Sequence, residues 1–346
     1  MPEEAKLNFY SINRCGYYRH GTQEAILGNL PGVLTQLRTW ATRPGFPLES
    51  TCTFSLNENG GDSLRVFCFD ILANNANGDC FLTTWNETPS SKGKVPSVTG
   101  NQPVGAAEVH LNEIEEGTIP GYATYFWLIP ELNVFSTIRF QHLLNGQQNL
   151  VRYLNGFLEK HSDHAVINQV DGDTAEIIGY REDILSEVQE LYPSFRAKLL
   201  RKSGEVDLIR QKRANIRKLI RKSTLDLQIE EEQSLMRSLL QKLGIIQGEN
   251  NGNQKLNVKY SFPYTPSADE INSIIENAFE EGMSWTNDVG FQFVGKSEII
   301  WLSNSIVKRD INLNIERDND EIVNLTSLAT QLTAQRNVIA NIVNGN

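Results

Sequence analysis

Residues 64–85, LRVFCFDILANNANGDCFLTTW, carry the strongest structural signal in the sequence. Two apolar, aromatic-rich runs, 64–73 and 80–85, flank the polar stretch 74–79, which ends in Asn-Gly-Asp. Runs of this kind around an Asn-Gly turn are typical of a β-hairpin. The N-terminal part of the chain is therefore predicted to be rich in antiparallel strands.

Similar patterns continue through the rest of the chain. Strands are predicted at 122–129, 133–140, 165–170, 175–180, 255–262, 288–294 and 298–302 from apolar runs and alternation. Helices are predicted at 146–160, 181–190, 267–279 and 324–343 from helical spacing and capping residues. Residues 86–105 contain three prolines and three glycines, a composition that predicts a loop.

Together these elements predict an α+β fold of two domains, with mixed, mostly antiparallel sheets, packed helices and a basic helical segment. Four regions follow from the pattern: a β-rich module at 1–105, a small α+β domain at 106–193, a basic helical connector at 194–245 and a C-terminal α+β module at 246–346. A length of 346 residues is sufficient for two domains.

The composition is that of an ordinary globular protein, with 40% hydrophobic and 21% charged residues. Neither a bilayer-spanning apolar stretch nor a basic, signal-like N-terminus is evident in the sequence. The cysteines Cys15, Cys52, Cys68 and Cys80 form no metal-binding spacing. We expect a soluble cytoplasmic protein with reduced thiols.

The charge is distributed unevenly along the chain. Between residues 196 and 222 there are eleven basic residues: Arg196, Lys198, Arg201, Lys202, Arg210, Lys212, Arg213, Arg217, Lys218, Arg221 and Lys222. Only two acids lie in this segment, which therefore has a net charge of +9 in a chain whose total is −10. Phosphate binding depends on such local potential rather than on the total charge.

On a helix, Arg210, Arg213, Arg217 and Arg221 would share one face, because they recur at steps of three and four residues. Each basic group that neutralises a phosphate releases counterions, which makes binding strong at low salt and insensitive to sequence. Arginine also binds phosphate with bidentate geometry. The segment therefore predicts a nucleic-acid interface, with DNA favoured over RNA.

Two other interpretations of the basic segment remain open. Charge runs often form solvated helix faces that pair with acids elsewhere, and the acidic triplet 230–232 is close in sequence. Basic amphipathic helices also dock acidic proteins or anionic membrane surfaces. A scaffold or sensor protein is thus the alternative to a nucleic-acid-binding subunit.

Motifs for catalysis are weak throughout the sequence. There is no P-loop, GxSxG elbow or HExxH motif, and no cofactor or small-molecule substrate is indicated. The spacing Glu4-Ala5-Lys6 is that of some nucleases, but it falls at a terminus expected to fray. Asp171 and Asp173 are expected to serve a turn. A nuclease site assembled from distant acids stays open, because one sequence does not show spatial clustering.

From residue 121 onward the order of elements resembles the RexA phage-exclusion proteins, which are related in shape to the recombination-associated RdgC proteins. The likeness lies in an aromatic strand at 121–129, its partner at 133–140 and a helix at 146–160. It continues with LMRSLLQKLGI at 235–245, followed by KLNVKYSF, DEINSIIENAF and DVGFQF. The match lies in the order and the residue character of these elements, and it covers about half of the chain.

The resemblance implies a non-enzymatic, two-domain, dimeric protein that binds duplex DNA without sequence preference. It also implies a role in antiviral defence by phage exclusion, alongside a membrane-protein partner that would recruit the protein to the inner membrane face. Kiwa-type defence has a comparable arrangement of a cytoplasmic DNA-binding subunit beside a membrane protein.

Overall fold

The computed structural model describes residues 2–54, 64–88, 96–110, 117–140, 146–170, 174–226, 255–280 and 287–344. The chain divides into two compact units. Unit 1 comprises residues 1–200 and 307–346, and unit 2 comprises residues 201–306. Unit 2 is therefore an insertion within the sequence of unit 1.

Unit 1 is built mainly from antiparallel strands. Its described strands are β1 (Glu3–Tyr18), β2 (Val66–Ala73), β3 (Cys80–Glu87), β4 (Ser97–Thr99), β5 (Val109–His110), β6 (Thr118–Ile129), β7 (Val134–Phe140), β8 (Ala165–Val170), β9 (Thr174–Tyr180), β10 (Tyr192–Leu199) and β15 (Lys308–Leu313). Its described helices are α1 (Leu30–Ala41), α2 (Gln147–Lys160), α5 (Leu325–Ala334) and α6 (Arg336–Val343).

Nine of these strands form one sheet, whose main path is β10-β1-β7-β6-β3-β2. The long strand β1 joins the two sequence segments of the unit. Its residues 10–18 pair with β10, its residues 3–8 pair with β15, and residues 5–11 pair with β7 on the other side. The predicted hairpins β2-β3, β6-β7 and β8-β9 are confirmed, while the turn at 171–173 lies outside the described residues.

The sheet of unit 1 buries apolar residues on both of its faces. Helices α1 and α2 pack on one face, and α5 and α6 pack on the other. A buried carboxylate links the sheet to α6. Asp79 accepts hydrogen bonds from Trp127 Nε1 of β6 at 3.0 Å and from Arg336 Nε of α6 at 2.9 Å. These bonds satisfy a charge that would otherwise be costly to bury.

Unit 2 is a smaller α+β module. Its described elements are α3 (Ser203–Gln211), β11 (Ile216–Asp226), β12 (Lys255–Pro263), α4 (Ala268–Glu280), β13 (Asp288–Phe293) and β14 (Ile299–Trp301). The strands form an antiparallel sheet in the order β12-β11-β13-β14. The α+β class with antiparallel sheets is thus confirmed in both units.

The two faces of the unit 2 sheet differ in character. On what we term the inner face, Leu219, Val289 and Phe291 are buried, as are Ile209 of α3 and Ile275 of α4. The outer face is formed by the alternate residues of the same strands, and it includes Lys218, Ile220, Lys222, Lys259, Ser261, Gln292 and Trp301. Opposite faces follow from the two-residue period of a strand.

The predicted basic helical segment is wrong for most of its length. Residues 192–199 form strand β10, only Ser203–Gln211 are α-helical, and Ile216–Asp226 form strand β11. Ile216, Leu219 and Ile220 have a spacing that fits a helix, but β11 has a register shift between Ile216 and Lys218. This bulge places Ile216 and Leu219 on one face of a strand, and pairing with two neighbouring strands overrides the helical propensity of the lysines and arginines.

Four other expectations differ from the structure. Residues 181–190 form no helix, because Asp183 Oδ1 accepts the backbone N–H groups of Leu185 and Ser186 at 2.8 and 3.0 Å and fixes a turn. The predicted loop 86–105 contains β4, and the helix 324–343 is interrupted at Gln335. Glu4-Ala5-Lys6 lies in β1 rather than at a frayed end.

The predicted boundaries at 105, 193 and 245 do not coincide with the two units. Strand pairing joins residues 3–18 with 192–199 and with 308–313, so unit 1 is assembled from segments that are distant in the sequence. A linear division of the sequence does not capture such long-range pairing.

Candidate nucleic-acid interface

The structure separates the eleven predicted basic residues into several environments. Arg196 and Lys198 are exposed on β10 of unit 1, whereas the other nine belong to unit 2. Arg210 lies in the last turn of α3, Arg213 starts a short 3-10 turn, and Arg217 and Arg221 lie on β11. The expected helical row of these four arginines is therefore wrong.

Two of the arginines in unit 2 have a structural role. Arg201 Nη1 lies 3.1 Å from Glu276 Oε1, and its guanidinium carbon is 3.4 Å from the centre of the Phe279 ring. Arg210 Nε donates to Asn272 at 3.0 Å and lies near Asp207 and the same Glu276. The contacts of Arg210 join α3 to α4, and those of Arg201 join the first residue of unit 2 to α4. Both arginines are therefore charges paired within the unit.

Two lysines lie over an aromatic ring on the outer face, and a third lines the depression beside it. The Nζ atoms of Lys222 and Lys259 lie 4.1 Å and 5.5 Å from the centroid of the Trp301 ring. Lys218 lies two positions before Ile220 on the same strand, and both border a depression of about 230 Å³. Its lining residues are Lys218, Ile220, Lys259, Tyr260, Ser261, Gln292 and Ile299. The outer face thus presents cations around an apolar floor.

This floor depends on a glycine in the neighbouring strand. A Cβ added to Gly290 would meet Ile299 Cγ2 at 2.6 Å and Trp301 Cε3 at 2.8 Å, distances that require both side chains to move. Because Gly290 has no side chain, Ile299 and Trp301 of β14 lie close against β13. Trp301 is consequently held within reach of Lys222.

One acid lies beneath the lysines. Asp288 is 2% exposed and accepts hydrogen bonds from the Ser303 hydroxyl at 2.6 Å and from the N–H groups of Ser303 and Val289. Burial raises the pKa of this carboxyl, and these hydrogen bonds oppose that shift. Its oxygens are engaged inside the unit, so the exposed character of the outer face remains basic.

A second group of cations lies at one end of the same sheet. Lys212, Arg213 and Arg217 are exposed around the turn that joins α3 to β11. The backbone N–H of Val294 donates to Asn215 O at 2.8 Å, which places the β13–β14 turn beside this segment. That turn contributes the exposed Lys296. Lys218, the next residue after Arg217, connects this end with the outer face.

We define the basic surface as the seven cations of the outer face and of this end: Lys212, Arg213, Arg217, Lys218, Lys222, Lys259 and Lys296. Within the part of the chain that the structure describes, none of the seven forms an ion pair with an acid. Lys202 is also exposed, at the start of α3, and Arg221 lies on the inner-face side of β11 opposite Tyr260.

Sequence reasoning missed Lys259, Lys296 and Trp301. Lys259 is visible as a polar position in the alternating run KLNVKYSF, but the sequence does not show which strands flank β11. The edge strand β12 also carries Tyr260 and Phe262, which remain 47% and 40% exposed. Their ring centroids are 6.5 Å apart and their planes differ by 13°.

Across the described ranges, no group of three or more His, Cys, Asp or Glu side chains is arranged to hold a metal ion. Cys15, Cys52, Cys68 and Cys80 form no disulfide, and burial raises the pKa of Cys15 and of Cys80 to about 12. His161 packs on Trp40, and His164 bonds to the backbone of Arg181. Polyanion binding is the chemistry that the basic surface supports.

Comparison with protein-family models, with curated proteins and with solved structures gives no match for this chain. Among the described helices, none is long and apolar enough to cross a bilayer.

Proposed function

We propose that this protein binds nucleic acid, duplex DNA in the first place, without sequence preference and through the basic surface of unit 2. The observation that carries the proposal is the concentration of seven cations on a unit of 106 residues, none of which forms an ion pair with an acid among the described residues. Like charges at this density repel one another, and an anionic polymer relieves that repulsion.

The spacing of the cations suits a phosphate backbone. Lys218 and Lys222 are four residues apart on one strand, a separation of about 13 Å at ~3.3 Å per residue. Four base steps of a duplex span a similar distance, at about 3.4 Å per step. Contacts of lysine and arginine with phosphates carry no sequence information, which fits binding without sequence preference.

A salt series on a fluorescent duplex of about 20 base pairs tests the proposal, because counterion release makes affinity fall steeply with salt. Replacing Arg213, Arg217 and Lys218 together by alanine is expected to lower the slope of log K against log salt by about 2.7, at about 0.9 for each lost phosphate contact. The measurement is fluorescence anisotropy between about 50 and about 200 mM salt.

The matched control replaces Lys308 and Arg309, two exposed cations on β15 of unit 1, by alanine. Their loss is expected to leave the slope within error of the unmodified protein. If the triple variant and the control behave alike, or if the protein fails to bind duplex DNA at low salt, the proposal is wrong. Binding to vesicles with anionic lipid in the absence of DNA binding would instead favour a membrane-docking scaffold.

The antiviral role, dimerisation and a membrane-protein partner stay predictions of the family resemblance. They add a setting in which sequence-independent DNA binding would be useful, because phage genomes differ in sequence.

A further inference from the structure

A turn of unit 1 carries the most exposed apolar side chains of the described ranges. Five of the eleven exposed large apolar residues in those ranges lie between residues 167 and 188. Ile184 and Leu185 are 77% and 93% exposed, more than any of the others. Apolar side chains that are exposed together, rather than singly, mark interaction surfaces. We term residues 181–190 (REDILSEVQE) the acidic turn.

Hydrogen bonds fix the conformation of the acidic turn. Asp183 Oδ1 accepts the backbone N–H groups of Leu185 and Ser186 at 2.8 and 3.0 Å and the Ser186 hydroxyl at 3.0 Å. The backbones of Tyr180 and Gln189 exchange two hydrogen bonds of 2.9 and 2.8 Å, which close the turn onto β9. A surface that is already ordered loses less conformational entropy when it binds a partner.

The exposed charges around this apolar tip are negative. Glu182, Glu187 and Glu190 are exposed in the acidic turn, and Glu176 is exposed on β9. Within the described ranges, none of these four carboxylates forms an ion pair with a cation. The acidic turn therefore combines an apolar tip with negative charge. This combination disfavours an anionic lipid surface and favours a partner that is cationic around an apolar depression.

The basic surface of unit 2 has these complementary features. Its depression has Ile220 and Ile299 among its lining residues, together with Lys218 and Lys259. The volume of about 230 Å³ has room for a leucine side chain, since a cavity of about 150 Å³ holds a benzene molecule. Two surfaces of the same chain are thus matched in polarity and in the sign of their charge.

We propose that the acidic turn of one copy of this chain docks on the basic surface of a second copy, with Leu185 in the depression, and competes with nucleic acid for the same cations. The contact joins two different surfaces, so it repeats from copy to copy as a closed ring or an open chain. The self-association depends on the exposures and charges alone, whereas the competition rests on the proposed function.

The first test is a reciprocal charge swap. One variant is Glu182→Lys/Glu187→Lys in the acidic turn, and the other is Lys218→Glu/Lys259→Glu on the basic surface. Sedimentation velocity at low salt, from about 1 to about 100 µM protein, covers the affinities of a small charged interface. The unmodified protein is expected to self-associate in this range. Each variant alone is expected to do so at least about tenfold more weakly, because like charges then face one another.

An equimolar mixture of the two swap variants is expected to associate as tightly as the unmodified protein. In the mixture, the acidic turn of one variant faces the cations of the other, and the two reversed surfaces also attract one another. Restored association supports the proposal and shows at the same time that both variants are folded. A mixture that stays dissociated although both variants unfold cooperatively, or a variant that associates like the unmodified protein, would overturn the proposal.

The second test removes the apolar tip. Ile184→Ser/Leu185→Ser is expected to self-associate at least about tenfold more weakly, because two aliphatic side chains no longer leave water on docking. The matched control is Ile26→Ser/Val338→Ser elsewhere in unit 1, whose side chains are 41% and 45% exposed. The control is expected to associate like the unmodified protein. Equal weakening in both variants would count against the assigned surface.

The competition is measured on the unmodified protein. Addition of a duplex of about 20 base pairs at low salt is expected to dissociate the self-associated form. A duplex that binds while the self-association stays intact would overturn the competition. Restored association in the swap mixture without any binding of duplex would overturn the proposed function alone. Duplex binding by a protein that does not self-associate would overturn the docking of the acidic turn alone.

Discussion

Replacing Arg201 by alanine separates structural cations from binding cations, because Arg201 lies within the predicted basic segment but is paired in the structure. Its side chain is 20% exposed and reaches Glu276 through Nη1 at 3.1 Å and Nη2 at 3.4 Å. The guanidinium also lies 3.4 Å above the Phe279 ring. The variant therefore loses an ion pair and a cation–π contact between α4 and the first residue of unit 2.

The magnitude follows from these contacts. A partly exposed ion pair contributes up to about 1 kcal/mol, because Glu276 is 42% exposed and solvent screens the interaction. A cation–π contact adds about 0.5–1 kcal/mol. We expect Arg201→Ala to lower the free energy of unfolding by about 1.5 kcal/mol and Arg201→Lys, which retains the charge, to lower it by less.

Urea unfolding gives this free energy, and anisotropy on a duplex gives the affinity. For Arg201→Ala we expect the affinity to stay within about twofold, whereas Arg217→Ala, an exposed cation of the basic surface, should weaken binding and reduce the salt slope by about 0.9. The assignment is refuted if Arg201→Ala weakens DNA binding as much as Arg217→Ala while the stability is unchanged.

Two further predictions concern the packing of the outer face and the pH dependence of stability. Gly290→Ala forces Ile299 and Trp301 away from β13, so it should lower the free energy of unfolding by about 1–3 kcal/mol and shift the tryptophan emission, as read by urea titration and fluorescence. Desolvation lowers the pKa of His161 to about 4, so the folded state binds fewer protons than the unfolded state. The free energy of unfolding should then fall as the pH drops from about 6.5 towards 4, and the His161→Phe variant should lack this part of the pH dependence. The same pH dependence in the variant and in the unmodified protein would contradict the prediction.

The charge distribution has a consequence for how the protein would approach DNA. The chain is acidic overall, with a net charge of −10, yet the basic surface belongs to one unit of about a third of the residues. A strongly uneven potential orients a protein in the field of a polyanion during encounter. Unit 2 would therefore lead the association, and rising salt would slow it.

Local sequence signals predicted those elements whose partners are close along the chain. The hairpin β2-β3 followed from its Asn-Gly turn, and helix α2 followed from Leu150, Tyr153, Leu154 and Phe157, all of which are buried. In both cases the residues that determine the element lie within one short window. The periodicity alone was therefore sufficient.

The basic segment shows where local signals fail. The run IRKLIRKSTL at 216–225 has apolar residues at helical spacing and many helix-forming lysines and arginines, yet it is the second strand of a four-stranded sheet. Its partners are β12 and β13, which begin about 40 and about 70 residues after the start of β11. Backbone hydrogen bonds to strands on both sides stabilise this segment as a strand by more than its intrinsic helix propensity would stabilise a helix.

The sequence by itself determined the α+β composition, the hairpins and the concentration of cations between residues 196 and 222. The tertiary structure decided which of these cations are available: it paired Arg201 and Arg210 with Glu276, assigned Arg196 and Lys198 to another unit, and added Lys259, Lys296 and Trp301. The physical reason is that charge content is a local property of the chain, whereas exposure and pairing depend on strands and helices brought together from distant positions.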